Sequence, residues 1–420
     1  MNFPAKRVNC EHTELAQVVI ASAATQSRVR LRSRLCDYEE AIKMTPNPLI
    51  ELEKLGQSIW LDYIRRDLIR SGKLRRLIED DGLRGMTSNP SIFEKAILES
   101  HDYDPDIEEL AMEGRTPAEI YDVMSIKDMK DAADEFRDVY EKSSGQWGYV
   151  SLEVNPHLAH DTNATIEEAR RLWNSLRRPN VFIKVPATDA GLPAIRQLIS
   201  EGINVNVTLL FGLPRYRQVI EAYLAGIEDR LSYNEPVENV ASVGSFFVSR
   251  MDTLVDPLLE KIIAAGGDKA ELAKKLHGQV AVANSKVAYQ IYNEAFGSDR
   301  FRKLAPRGAR IQTLLWASTS TKRPDYSDVK YVEDLIGPNT INTVPVSTLD
   351  AYREHGRPEV RLEQDVAGAR WVLDHLRELG IDMDQVTAQL EDEGFRKFCE
   401  PYDHLMETLE QRLPQYLESE

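Results

Sequence analysis

The sequence predicts an α/β protein folded as a closed (β/α)8 TIM barrel, with helical insertions and a helical C-terminal tail. Three observations predict it. From residue 46 onward, short β-branched and aromatic runs alternate with amphipathic helical patterns, as in βα units built around a parallel sheet. The runs number eight, the count that closes such a sheet. No Pro-rich or Gly-rich linker and no repeat of fixed period divides the stretch, so residues 44–420 read as one decorated domain.

In chain order the strands fall at Ser58–Asp62, Leu83–Ser88, Tyr149–Val154, Val181–Val185, Val205–Leu210, Ala241–Phe247, Ile311–Ala317 and Thr340–Val344. Apolar residues recur every three to four positions in Thr165–Leu176, Leu192–Ser200, Pro214–Ile227 and Asp252–Ile263, which read as the crossover helices. Two connections of about 60 residues, after the second and sixth strands, are mainly helical. Asp268–Phe296 reads as one extended periodic stretch and Val360–Glu418 as a helical tail. In that tail Tyr402, Leu405, Leu409 and Leu413 share a face, which suits core or subunit packing and leaves a homodimer open.

Residues 1–43 differ from the rest. They carry a net charge of +2 against −18 for residues 44–420, and Arg28, Arg30, Arg32 and Arg34 alternate with small or apolar residues. They are expected to form an extension outside the fold.

Composition narrows the function. Of 420 residues, 42% are apolar and 29% charged, enough to build a large core. A net charge of −16 repels phosphate backbones and anionic lipid, so neither nucleic acid nor a membrane is an expected partner. Cys10, Cys36 and Cys399 are too few and too scattered for a disulfide framework or zinc spacing, and no apolar run approaches a membrane span. A cytoplasmic protein is expected.

Barrel interiors are filled mainly by branched apolar side chains, and barrel chemistry sits at the C-terminal strand ends. Here seven consecutive strand ends carry polar groups: Asp62, Asn89, Glu153, Lys184, Asn206 with Thr208, Ser245, and Ser318. Core packing would not supply that series. Lys184 stands between Val181-Phe182-Ile183 and Val185-Pro186-Ala187, where a desolvated amine could attack a carbonyl and form a Schiff base. The competing reading is a barrel lysine paired with Asp62 or Glu153. Schiff-base aldol chemistry also needs a base for a hydroxyl proton and a second proton carrier, and Asp62 and Glu153 are the two carboxylates at strand ends. Each of these, and Asn89 before Pro90, could equally cap a helix. Arg250, just ahead of the Asp252 helix, suits a phosphate at a helix start or a surface pair with Asp252.

His157 and His160 have no third ligand at useful spacing, so no metal site is expected. Neither G-x-G-x-x-G after a strand, nor G-x-x-x-x-G-K, nor G-x-S-x-G occurs, which leaves no support for a dinucleotide, a nucleotide phosphate loop or a serine hydrolase.

The blocks TSNPSIFEKAI, VSLEVNP, VFIKVPAT, INVNVTLLF, SVGSFFVSRMDTLVD and TINTVPVSTLDAY together resemble transaldolase, in its long bacterial-type subfamily. The resemblance runs from about Pro46 to the C-terminus, and residues 1–43 have no counterpart. It implies a class I aldolase of the pentose phosphate pathway, using no cofactor and no metal. Such an enzyme moves a dihydroxyacetone unit from sedoheptulose 7-phosphate or fructose 6-phosphate to glyceraldehyde 3-phosphate or erythrose 4-phosphate. By resemblance, Lys184 is the Schiff-base lysine, Asp62 the base at the C4 hydroxyl, and Glu153 with Thr208 and a water the proton shuttle. Asn89, Asn206 and Ser245 then hold the dihydroxyacetone hydroxyls, Phe247 forms a wall, and Arg250 and Ser318 contact phosphate. One departure stands out. Shorter relatives show Ser-Phe-Arg after strand seven, whereas this chain reads Ser318-Thr319-Ser320-Thr321-Lys322, so a second phosphate arginine is missing and Lys322 is its candidate substitute. The rival readings are a fructose 6-phosphate aldolase releasing free dihydroxyacetone, against which the long insertions speak, and a silent sugar-phosphate binder, which would need no nucleophile.

Overall fold

The computed structural model describes residues 47–417. The extension expected over 1–43 lies outside the described residues. Eight parallel strands close in sequence order, β1 Gln57–Asp62, β2 Gly85–Thr87, β3 Tyr149–Glu153, β4 Val181–Pro186, β5 Val205–Leu210, β6 Ser242–Phe247, β7 Thr313–Ala317 and β8 Thr340–Val344, with β1 pairing β8. All eight expected strands are present. The second is shorter than expected, because only Gly85–Thr87 pairs with β3, and of these only Met86 and Thr87 also pair with β1. Gly85 is required there: a Cβ would lie 2.4 Å from the Trp60 indole that packs across it.

Each strand is followed by helix, which covers the outer face of the sheet and lets every strand be apolar toward the outside. The crossover helices run Thr162–Leu176, Gly191–Glu201, Leu213–Ser232 and Ser249–Ala265, extending the periodic stretches by a few residues at their ends. Inside the barrel the expected branched apolar filling is partly replaced by polar side chains, with Asn206 donating to the Ser151 hydroxyl (3.0 Å) and accepting from Ser245. On the outer, helix-facing side of the sheet Gln57 donates to the Thr340 hydroxyl (3.0 Å) and Gln312 to the Ser242 hydroxyl (2.9 Å). A stack of Trp60, Phe182 and Tyr149 packs within the same barrel, with centroids 6.2 and 4.4 Å apart.

Two helical expectations need correction. The stretch Asp268–Phe296 is two helices, Asp268–Leu276 and Val280–Phe296. The break falls at Gly278, whose φ is +70°, and a Cβ there would lie 2.7 Å from the Tyr326 hydroxyl. Asp256 accepts from Gly278 N (2.8 Å) and Tyr326 Oη (2.6 Å), while Asp252 accepts from Ala281 N (2.7 Å) and Tyr331 Oη (2.9 Å). These tertiary bonds satisfy the amides that a continuous helix would have used, so periodicity alone could not reveal the break. The tail likewise starts only at Val366, where Asp365 caps it by accepting from Gly368 N, and it is interrupted at Gly380, with φ +81°. It resumes as Met383–Leu417, in which Tyr402, Leu405 and Leu409 are buried within this chain. That stripe is core packing.

Candidate active site

A cavity of about 710 Å³ opens at the C-terminal ends of the strands. Its walls take residues from seven of the eight strands or their ends, the helix after β2, the loop after β7 and the Met383–Leu417 helix. Period-two alternation explains the selection, because at a strand end the inward position projects into the mouth rather than into the packed interior.

Lys184 is 4% exposed, and its Nζ has three neighbours. It donates to Ser88 O at 3.1 Å, lies 3.2 Å from Glu153 Oε2, and stands 5.2 Å from the centre of the Phe398 ring. Register explains the carboxylate: Glu153 on β3 is paired directly with Lys184 on β4. Burial drives the Glu153 carboxyl up to about 7, against the opposing pull of the Lys184 ammonium and with a smaller push from Asp62. The paired-lysine reading therefore holds for Glu153. It does not compete with a nucleophilic role, since an acid near neutrality can both pair with the ammonium and exchange a proton with it.

Asp62 ends β1, and its Oδ1 accepts from the Thr87 hydroxyl at 2.7 Å. That hydroxyl is also 2.8 Å from Thr343 Oγ1, so three neighbouring strands fix the carboxylate's position. Burial raises the Asp62 carboxyl above its ordinary value, with the charge of Lys184 and the Thr87 bond opposing. Asp62 makes no helix cap. Asn89 does: its Oδ1 accepts from Ile92 N at 3.1 Å at the start of the Pro90–Leu98 helix, while its side chain also lines the cavity.

Of the ten expected site residues, the structure brings Lys184, Asp62, Thr208, Asn89, Ser245, Phe247, Arg250 and Ser318 to one cavity. Glu153 and Asn206 are not on its wall. Glu153 stands behind Lys184. Asn206 lies beneath the floor, where its Oδ1 accepts from Ser245 Oγ at 2.6 Å and so orients a hydroxyl that does reach the cavity. The Thr208 hydroxyl and Arg250 Nη1 are buried with no hydrogen-bond partner among the described residues, and both residues line the cavity.

Arg250 does not pair with Asp252, whose carboxylate is spent on Ala281 and Tyr331. Its guanidinium lies 5.3 Å from the Phe247 ring, and burial holds it below its ordinary pKa. Ser318 adopts φ +55°, an unusual conformation for a residue with a side chain, and its hydroxyl lies 3.1 Å from Ser249 Oγ. Lys322 stands at the mouth with its ammonium 2.5 Å from Ser320 Oγ, held below its ordinary pKa by partial desolvation in the cavity and then by Arg250. His157 and His160 take no part: His157 pairs with Asp403 at 2.6 Å, and His160 packs on Phe395.

Sequence reasoning missed Thr87, Thr343, Lys95, Lys397 and Phe398, all on the cavity wall. Thr87 was within reach, two residues before Asn89 at a strand end. Lys397 and Phe398 had no local signal, because only the return of the tail across the barrel mouth brings them there.

A family profile described as Transaldolase/Fructose-6-phosphate aldolase matches residues 59–409. Similar curated proteins include Transaldolase 2 of Nostoc sp. (strain PCC 7120), 47% identical over 372 residues, which span 87% of this chain and 98% of that protein. The transaldolase of Trichodesmium erythraeum is 46% identical over 374 residues, 88% of this chain and 98% of that one. The transaldolase of Saccharopolyspora erythraea is 45% identical over 376 residues, 89% of this chain and all of that one.

Proposed function

The chain belongs to the transaldolase/fructose-6-phosphate aldolase family, and from that premise we propose that Lys184 carries its substrate as a Schiff base in the cavity described above. The activity is transaldolase activity of the pentose phosphate pathway, transfer of a dihydroxyacetone unit from a ketose phosphate to an aldose phosphate.

In the proposed sequence the neutral Lys184 amine attacks the ketose C2 carbonyl to give a carbinolamine. Glu153, protonated over much of the neutral range, gives its proton to the carbinolamine hydroxyl, which leaves as water while the C=N bond forms. Thr208, whose hydroxyl has no protein partner, orients that water. Asp62 then takes the C4 hydroxyl proton as the C3–C4 bond breaks, and the bonding electrons move into the imine to give an enamine. The first aldehyde departs and an acceptor aldehyde enters. The steps then run in reverse.

Asn89 and Ser245 clamp the dihydroxyacetone hydroxyls, with Asn206 acting through Ser245. That clamp keeps the enamine in place until the acceptor arrives. Phe247 walls the site, Arg250 and Ser318 hold phosphate, and Lys322 supplies the charge that the missing arginine would give. No helix among the described residues is long and apolar enough to cross a membrane. Sugar phosphates are the proposed partners, with nucleic acid not among them, and the cytoplasm is the proposed setting. A homodimer is the proposed assembly, which sedimentation analysis reads directly.

The observation that carries the reading is a lysine amine, almost fully buried, within contact distance of a carboxyl and sharing a cavity with a second one. Its test is borohydride reduction in the presence of fructose 6-phosphate, followed by peptide mass mapping. We expect an irreversible adduct on Lys184 that is lost in Lys184→Ala but persists in Asp62→Ala, although turnover of Asp62→Ala collapses. An adduct elsewhere would overturn the assignment.

A further inference from the structure

Behind the substrate cavity lies a second one, of about 270 Å³, between the Pro117–Glu135 and Thr162–Leu176 helices, the turn after β3 and the tail helix. The two cavities have no lining residue in common. Lys184 lines the front one and Glu153 the rear one, so their 3.2 Å contact bridges the partition between them. Glu153 Oε2 has the Lys184 ammonium as its ion-pair partner, while Oε1 is buried with no partner among the described residues. A buried carboxyl oxygen in that condition is costly unless water reaches it.

The rear cavity suits water. At ~30 Å³ per molecule it has room for roughly nine. Its rim is hydrophilic, with Arg171 paired to Asp122 at 2.8 Å and to Glu168 at 2.7 Å. Its inner wall is formed by Tyr121 and Tyr402, packed edge to face at 5.6 Å, and the Tyr402 hydroxyl accepts from Asn155 Nδ2 at 3.2 Å. On the front side Phe398 lies over the lysine, its ring centre 5.2 Å from Nζ, and the substrate carbon bonded to Nζ would stand between the leaving oxygen and the cavity mouth.

We propose that the rear cavity is the water and proton port of the Schiff-base lysine, an inference that rests on the Lys184 reading above. As the carbinolamine C–O bond breaks, the oxygen takes the Glu153 proton and leaves as water through the rear cavity. Glu153 becomes a carboxylate and is reprotonated from the water there. In the return direction a water drawn from the rear cavity and held at the Thr208 hydroxyl adds to C2 of the iminium and gives its proton to Glu153. Oxygen and proton both balance, and no other reactant is needed.

The test plugs the port without touching the front wall. Ser125 lines the rear cavity, is buried, and its hydroxyl only bonds back to Asp122 O within its own helix. Wild type and Ser125→Leu are incubated with fructose 6-phosphate and carbon-13-labelled glyceraldehyde 3-phosphate in oxygen-18 water, with enzyme-free exchange subtracted. Every labelled ketose released has passed through imine hydrolysis. The oxygen-18 at C2 per carbon-13-labelled ketose, read in the C1–C3 fragment so that label entering C4 through hydration of the acceptor aldehyde is left out, therefore reads whether the expelled water was replaced from bulk, independent of rate.

Wild type should incorporate close to one bulk oxygen at C2 per labelled ketose. Ser125→Leu should fall severalfold because the trapped water is returned. An unchanged ratio in a folded Ser125→Leu would overturn the proposal and place water exchange at the front. Should that variant not fold, Ala118→Trp plugs the rim from an exposed helix position, and the same two outcomes decide. Absence of both the Lys184 adduct and labelled ketose in wild type would instead remove the Schiff-base reading itself.

Discussion

At Glu153 the end of β3 places a carboxyl beside an ammonium with almost no water around either, and the two opposing effects are unequal. Burial wins over the Lys184 charge and lifts the carboxyl from its usual 4.5 to about 7. The folded protein therefore holds a proton that the unfolded chain releases between those values, and this group's contribution to stability is fully present below about pH 4.5 and lost as pH rises through about 7. Glu153→Gln, which cannot ionise, should show a smaller loss of stability from pH 5 to pH 8 than wild type in urea unfolding. An equal loss would mean that the carboxyl is not perturbed. Lys184, Asp62 and Thr208 were legible from sequence because each interrupts an apolar strand run at its end, where polar residues have no packing reason to be. The positions of Asn206 and Glu153 were not legible. Alternation gives the face of a strand, but not the depth at which a side chain stops.

Among elements, the loop after β7 and the tail helix finish a site that the strands begin. The loop brings Ser318, Ser320 and Lys322 to the mouth, and the tail brings Lys397 and Phe398. If Lys322 replaces the missing arginine, Lys322→Ala should raise KM for phosphorylated substrates on the order of tenfold, the loss of about 1.4 kcal/mol expected for one charged contact, with kcat little changed. KM for an unphosphorylated ketose should not move, and a parallel rise for both would assign Lys322 to general structure. The tail also shows where periodicity misleads. Its apolar stripe marks burial correctly, but burial against the barrel mouth and burial against a second subunit leave the same pattern in the sequence.

For the molecule as a whole, closure of the barrel is what turns scattered strand ends into one cavity, and the long insertions hold that geometry from outside. The Asp252 and Asp256 carboxylates tie the helix after β6 to the Val280–Phe296 helix and to Tyr326 and Tyr331 beyond β7. Gly278→Ala strikes this tie twice, through its positive φ and by displacing the Tyr326 hydroxyl, and should destabilise the fold by roughly 2 kcal/mol. A melting temperature equal to wild type would show that the tie is dispensable. The eight strands, their order and the polar residue at each of seven ends were determined by the sequence by itself, because strand formation and alternation depend on near neighbours along the chain. Only the tertiary structure decided that the 268–296 segment breaks at Gly278, that the tail crosses the mouth, and that Glu153 faces a separate rear cavity. Those outcomes depend on contacts between residues dozens to hundreds of positions apart, and no local pattern encodes them.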